Sequence, residues 1–128
     1  IEKSRSLNLD EDVYFEIIRN KTASLLSSAC GTGAWSTSAN LDFTEKMKRF
    51  GEYAGIAFQI KDDLFDYGNE AIGKPTGNDI KEKKITLPLI YTLNRVTATK
   101  KKEMIFILKN ENRQKKYIQQ IINEVVQA

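Results

Sequence analysis

No histidine occurs in the 128 residues. That absence removes His-based catalytic triads, His-ligated zinc and imidazole acid–base chemistry together. There is a single cysteine, Cys30, so no intrachain disulfide can form, which fits a reducing compartment. Long apolar runs are also missing. "MIFIL" at 104–108 is among the longest and falls far short of the roughly 20 residues of a membrane span, so no membrane insertion is expected. The net charge of +3 is too small to argue for a nucleic-acid partner. No signal-peptide pattern is visible. The chain opens on Ile1 rather than methionine, as expected of a cut or processed piece.

What is present points to one helical domain. Hydrophobic residues make up 41% and charged residues 29%, a balance that supports a packed core. Residues 10–29 carry an amphipathic pattern, with Asp10 placed to cap a helix that Gly31 and Gly33 punctuate. A longer helix is expected over about 43–67. Its apolar stripe is Phe43, Met47, Phe50, Ala54 and Ala57, and Gly68 stops it. Residues 68–84 hold three of the seven glycines and one of the two prolines, which is loop chemistry. A third helix starts near Thr86 with Pro88 in its first turn, and two more fit residues 100–109 and 112–127. No stretch alternates with period two. The chain therefore reads as all-α, with helices packed as a bundle.

One segment stands out. "FQIKDDLFDY" (58–67) sets Asp62, Asp63 and Asp66 among large apolar residues. At about 100° per residue, Asp62 and Asp66 share a helix face with Gly51, Gly55, Phe58 and Gln59, and Asp63 flanks it. Like charges at i and i+4 repel, and each mid-helix glycine costs on the order of 1 kcal/mol. Glycines that leave room and carboxylates that supply hard oxygen ligands suit Mg²⁺ shared with an anionic partner. For D-D-x-x-D alone, a solvated acidic helix end with Lys61 as counter-charge is the preferred reading. Lys21 lies on a stripe with Tyr14, Ile17, Leu25 and Ser28. It is either a snorkelling lysine or a cation held in a helix-lined cavity beside the Thr22 hydroxyl. Lys74, Lys81, Lys83 and Lys84 sit among loop glycines, as a solvated connector or as a flap that closes over phosphates.

Three ordered segments, "IRNKTASLLSSACGTGA" (18–34), "FGEYAGIAFQIKDDLFDY" (50–67) and "GKPTGNDIKEKKITLPLIYTL" (73–93), resemble the trans-type polyprenyl diphosphate synthases. The resemblance weakens after about residue 95. It implies an isoprenoid synthase-like helical bundle around a central cavity. It also implies a cytoplasmic, homodimeric prenyltransferase that joins an allylic diphosphate to isopentenyl diphosphate with Mg²⁺. By motif position it assigns Asp62, with Asp63 and Asp66, to the metal, and Lys21, Lys74 and Lys84 to substrate diphosphate. Lys21, Thr22 and Gln59 fall at catalytic positions, Thr22 and Gln59 facing the developing allylic cation. Cys30 and Trp35 match no such role.

The family's first aspartate-rich motif and its C-terminal helices have no counterpart here. Residues 1–128 are thus expected to be a partial synthase domain, inactive by itself. A terpene cyclase-like relative and a non-catalytic helical subunit of the same fold are the alternatives. Product length is not legible.

Overall fold

The computed structural model describes residues 10–68, 76–111 and 113–128. Among them there is no strand; every regular element is helical. Helix α1 (Glu11–Ile18) begins as expected, with the Asp10 carboxylate accepting the Asp12 backbone N–H at 3.0 Å. It continues through a π-helical turn, Arg19–Ala23, into α2 (Ser24–Ser38). The wider turn shifts the helical register from what a uniform 100° step predicts. Tyr14 is buried while Leu25 and Ser28 are exposed, so the stripe expected to carry Lys21 does not persist along the helix. Gly31 and Gly33 do not end α2. It stops at Ala39, which adopts φ 49° and donates its N–H to the Trp35 carbonyl.

Helix α3 (Leu41–Phe65) is capped by Asn40, whose side-chain oxygen accepts the Phe43 N–H at 3.0 Å. Its packed face is rotated away from the one its apolar pattern suggests, leaving Met47 and Ala54 half-buried at its margin. Phe43, Phe50 and Ala57 are exposed, whereas Thr44, Gly51, Gly55, Gln59 and Asp63 are buried. The reason is a close approach of backbones. A Cβ on Gly51 would sit 2.5 Å from the Leu26 carbonyl oxygen, and one on Gly55 would sit 2.6 Å from the Ala23 Cα. The glycines do not leave an open space beside the helix. They let another helix fill it, and that fixes which stripe faces inward.

The chain divides into two compact units, Phe15–Lys61 and a second that joins Tyr14 to residues 62–128. In the second, α4 (Asn78–Lys81) is a single turn and α5 spans Leu87–Arg95. Helix α6 (Ala98–Phe106) runs into a π-helical turn, Ile107–Glu111, and α7 spans Lys115–Gln127. Helix α5 packs on both α6 and α7. Pro88 lies in the first turn of α5 as expected, behind an extended Thr86. The core takes Leu89 and Leu93 from α5, Met104, Ile107 and Leu108 from α6 and its π turn, and Ile118, Ile121 and Ile122 from α7. These spacings of three and four put one continuous apolar stripe on each helix. Ile80 and Tyr67 join the cluster from the α4 turn and the end of α3. Outside the core, Lys100 bridges α6 to α7 by pairing with Glu124 at 2.8 Å.

Candidate functional site

The end of α3 carries the acid cluster, and its three aspartates are treated differently by the fold. Asp63 is completely buried. Its Oδ2 accepts the Tyr14 hydroxyl at 2.7 Å, and its Oδ1 faces the Lys84 ammonium at 3.0 Å. Lys84 also reaches Asp79, at 3.2 Å to Oδ2 and 3.3 Å to Oδ1. Asp66 lies just past the last turn of α3. Its two oxygens accept the backbone N–H groups of Asn78 (2.9 Å) and Asp79 (3.1 Å), and its carbonyl accepts from Gly77 (3.0 Å). Asp66 thereby supplies the N-terminal cap that α4 lacks, since its own capping residue is Gly77 at φ 77°. Asp62 is partly exposed on α3, one turn before Asp66. Next along the chain, the Tyr67 hydroxyl and Thr86 Oγ1 share a buried 2.7 Å hydrogen bond that ties this end of α3 to the start of α5.

Electrostatics follow from the inventory. Among the described residues around the α4 turn, Lys84 pairs with Asp63 and Asp79, and its charge also reaches Asp66. Burial pushes the Asp66 carboxyl above its ordinary value, against the lowering effect of its backbone hydrogen bonds and of Lys84. Burial also raises Asp79, opposed by Lys84 and reinforced by the charge of Asp66. Burial works to lower Lys84, but Asp63 and Asp79 outweigh it and its pKa is raised. The Tyr14 hydroxyl is pushed far up, first by burial and then by its bond to Asp63. The acids are thus under-compensated, the environment that a divalent cation relieves.

Among the described residues no three His, Cys, Asp or Glu side chains form a cage that could hold a metal ion. Mg²⁺ does not require one, because it typically takes one or two carboxylates and completes its shell with water and substrate phosphates. Each Asp66 oxygen accepts one N–H and keeps a second lone pair. The donor set therefore fits one side of a Mg²⁺–phosphate site.

The other expected residues lie in the unit Phe15–Lys61. Lys21 and Thr22 sit in the π-helical turn, a local widening that is frequent at functional sites. Lys21 is exposed. The Thr22 hydroxyl donates to Gln59 Oε1 at 3.1 Å, so the structure joins two of the three expected catalytic side chains, with Gln59 buried on α3. Arg19 pairs with Glu52 at 2.8 Å across the same two elements. Lys74 lies outside the described residues. Cys30 is partly buried.

Two residues of the acid network escaped the sequence reading. Asp79 stands inside "GNDI" in the third matching segment, so its signal was available. Tyr14 had none, for nothing local links it to an aspartate 49 positions away.

Residues 1–125 match the family model described as "Polyprenyl synthetase". The chain belongs to the polyprenyl synthetase family. It is 38% identical over 101 residues to the short chain isoprenyl diphosphate synthase of Methanocaldococcus jannaschii, covering 77% of this chain and 31% of that protein. It is 30% identical over 122 residues to heptaprenyl diphosphate synthase component 2 of Bacillus subtilis, covering 92% of this chain and 34% of that one. The crystal structure of a geranylgeranyl pyrophosphate synthase from Bacteroides thetaiotaomicron superposes with a TM-score of 0.82 at 35% identity, covering 98% of this chain and 40% of that one. The all-helical, isoprenoid synthase-like fold is thereby shown. The chain spans about a third of the length of the curated relatives it matches. Those relatives of this polyprenyl synthetase segment differ in named product. No helix among its described residues is long and apolar enough to cross a membrane.

Proposed function

We propose that this chain is part of a prenyltransferase that condenses an allylic diphosphate with isopentenyl diphosphate into a linear polyprenyl diphosphate. The observation that carries the reading is the under-compensated acid cluster at the end of α3, in a member of the polyprenyl synthetase family. Asp62 and Asp66 would hold Mg²⁺, which when bound neutralises charge on the departing diphosphate. Lys21 and Lys74 bind that diphosphate as ammonium point charges. The Thr22 hydroxyl donates its hydrogen bond to Gln59, which leaves the Thr22 lone pairs to face the allylic cation. The isopentenyl double bond attacks that cation, and the proton released goes to the departed diphosphate. The intact protein is proposed to act in the cytoplasm as a homodimer.

Asp62→Ala in the intact gene product tests the reading. Turnover of both diphosphates into linear product is expected to fall by several orders of magnitude, with the helical circular-dichroism signal unchanged. Near wild-type turnover overturns the role of Asp62. Cyclic hydrocarbon products overturn the elongation chemistry, and an inactive wild type favours a non-catalytic subunit. Lys74→Ala is expected to raise the apparent KM for the allylic substrate, and unchanged kinetics would remove Lys74 from the site.

A further inference from the structure

The D-D-x-x-D segment invites the reading that all three aspartates serve the metal. The geometry separates them. Both oxygens of Asp63 are engaged from within the protein, by Tyr14 on α1 and by Lys84 beyond α4, and the carboxylate has no exposed surface. A buried carboxylate held this way is costly to redirect, because moving it strands a partly buried ammonium and a buried hydroxyl. Lys84 is likewise committed, to Asp63 and Asp79 together. The backbone N–H of Lys84 donates to the Asp79 carbonyl at 2.8 Å, which holds its side chain beside both acids.

We propose that Tyr14, Asp63 and Lys84 form a positioning clamp, in which Asp63 is not a metal ligand and Lys84 is its internal counter-ion rather than a diphosphate ligand. The clamp joins three separate stretches of chain. Helix α1 supplies the hydroxyl, the end of α3 supplies Asp63, and the segment after α4 supplies the ammonium. Asp66 grips the first N–H groups of α4 from three residues further along. Holding Asp63 fixes the rotation of the last turn of α3, and with it the direction of Asp62 one residue before. Fixing Lys84 and Asp79 holds the α4 turn against Asp66. The clamp thus orients the two carboxylates assigned to Mg²⁺ without touching it, as partners behind a metal ligand set commonly do. This inference rests on the proposed Mg²⁺–diphosphate site.

The test uses the intact gene product with the variants Tyr14→Phe, Lys84→Met, Asp63→Asn and Asp62→Asn. Two quantities are read. One is the thermal unfolding midpoint without metal or diphosphate. The other is calorimetric affinity for Mg²⁺ with inorganic diphosphate. The clamp predicts that Tyr14→Phe weakens this affinity on the order of 10-fold and lowers the metal-free midpoint. Tyr14→Phe and Asp63→Asn combined should be less than additive in both readings. Asp62→Asn should lose affinity while the metal-free midpoint stays or rises.

If Asp63→Asn behaves like Asp62→Asn, or if Tyr14→Phe lowers the midpoint and leaves the affinity intact, the clamp is wrong. If Lys84→Met abolishes diphosphate binding with the metal-free midpoint unchanged, Lys84 is a ligand after all and the counter-ion role fails. Tyr14→Phe removes one oxygen and guards against a variant that simply fails to fold. A wild-type protein that binds no Mg²⁺–diphosphate refutes the functional reading instead, and the metal-free midpoints then still report whether the three residues are coupled.

Discussion

Residues 15–61 and residues 62–128 are both helical, yet they are held together by different physics. The second stretch buries leucine, isoleucine and methionine from three helices in one cluster. The first buries chiefly small residues: Ala23, Ala34, Gly51 and Gly55 face inward, while Leu25, Phe50, Tyr53 and Phe58 are each more than 60% exposed. In one case side-chain volume fills the space between helices. In the other the backbones approach until there is almost no space to fill. The difference shows that an apolar stripe does not by itself reveal the packed face of a helix. Shape complementarity can favour a glycine stripe, because dispersion and close packing reward contact rather than hydrophobicity alone.

This contrast can be broken by substitution. Leu93→Ala should have the largest effect, about 2–5 kcal/mol of lost stability in urea unfolding, since it empties a fully buried core position. A loss below that range would mean the cluster collapses around the gap. Gly55→Val should cost roughly 1–3 kcal/mol, because the added carbons meet the Ala23 backbone rather than a movable side chain. Equal stability there would show that the helices separate at little cost, and the small-residue contact would lose its meaning. Phe50→Ser should change the stability of this 128-residue chain by less than about 0.5 kcal/mol, the usual range for exposed sites. A larger loss would show that the aromatic face of α3 is in contact with something.

The polar network that joins Tyr14 to residues 62–128 carries a pH signature. Folding raises both Tyr14 and Lys84 above their ordinary values of 10.0 and 10.5. A raised folded-state pKa means the native state holds the proton more tightly. Its stabilisation is complete below the unfolded value and is lost as pH rises through the folded one. Stability should therefore decline above about pH 10, where the unfolded groups begin to titrate. The doubly substituted Tyr14→Phe, Lys84→Met protein should show a shallower decline between pH 10 and 11.5. Identical alkaline slopes in the two proteins would remove these residues from the account.

Much of this was legible in local pattern. The caps at Asp10, the start of α5 behind Thr86 with Pro88 in its first turn, and the absence of strand periodicity all follow from neighbouring residues. So does the concentration of acid at 62–66, whose residue types already suggested hard-cation chemistry. Less legible were the points where two distant stretches compete for one space. Gly31 and Gly33 read as helix breakers, yet α2 runs through them, because a glycine costs only on the order of 1 kcal/mol and tertiary contacts exceed that. The π-helical turn at Arg19–Ala23 carries no local signature, and it altered the register on which the Lys21 stripe was drawn.

Helix content, the starts of α1, α3 and α5 to within a few residues, the family resemblance and the identity of the acidic cluster were determined by the sequence alone. All of these depend on residues within a turn or two of one another, or on ordered motifs. Tertiary structure alone decided that the glycine face of α3 packs inward, that Thr22 meets Gln59, and that Asp63 is divided between Tyr14 and Lys84. Those outcomes turn on which backbone comes within reach of which side chain, a distance that no spacing along the chain encodes.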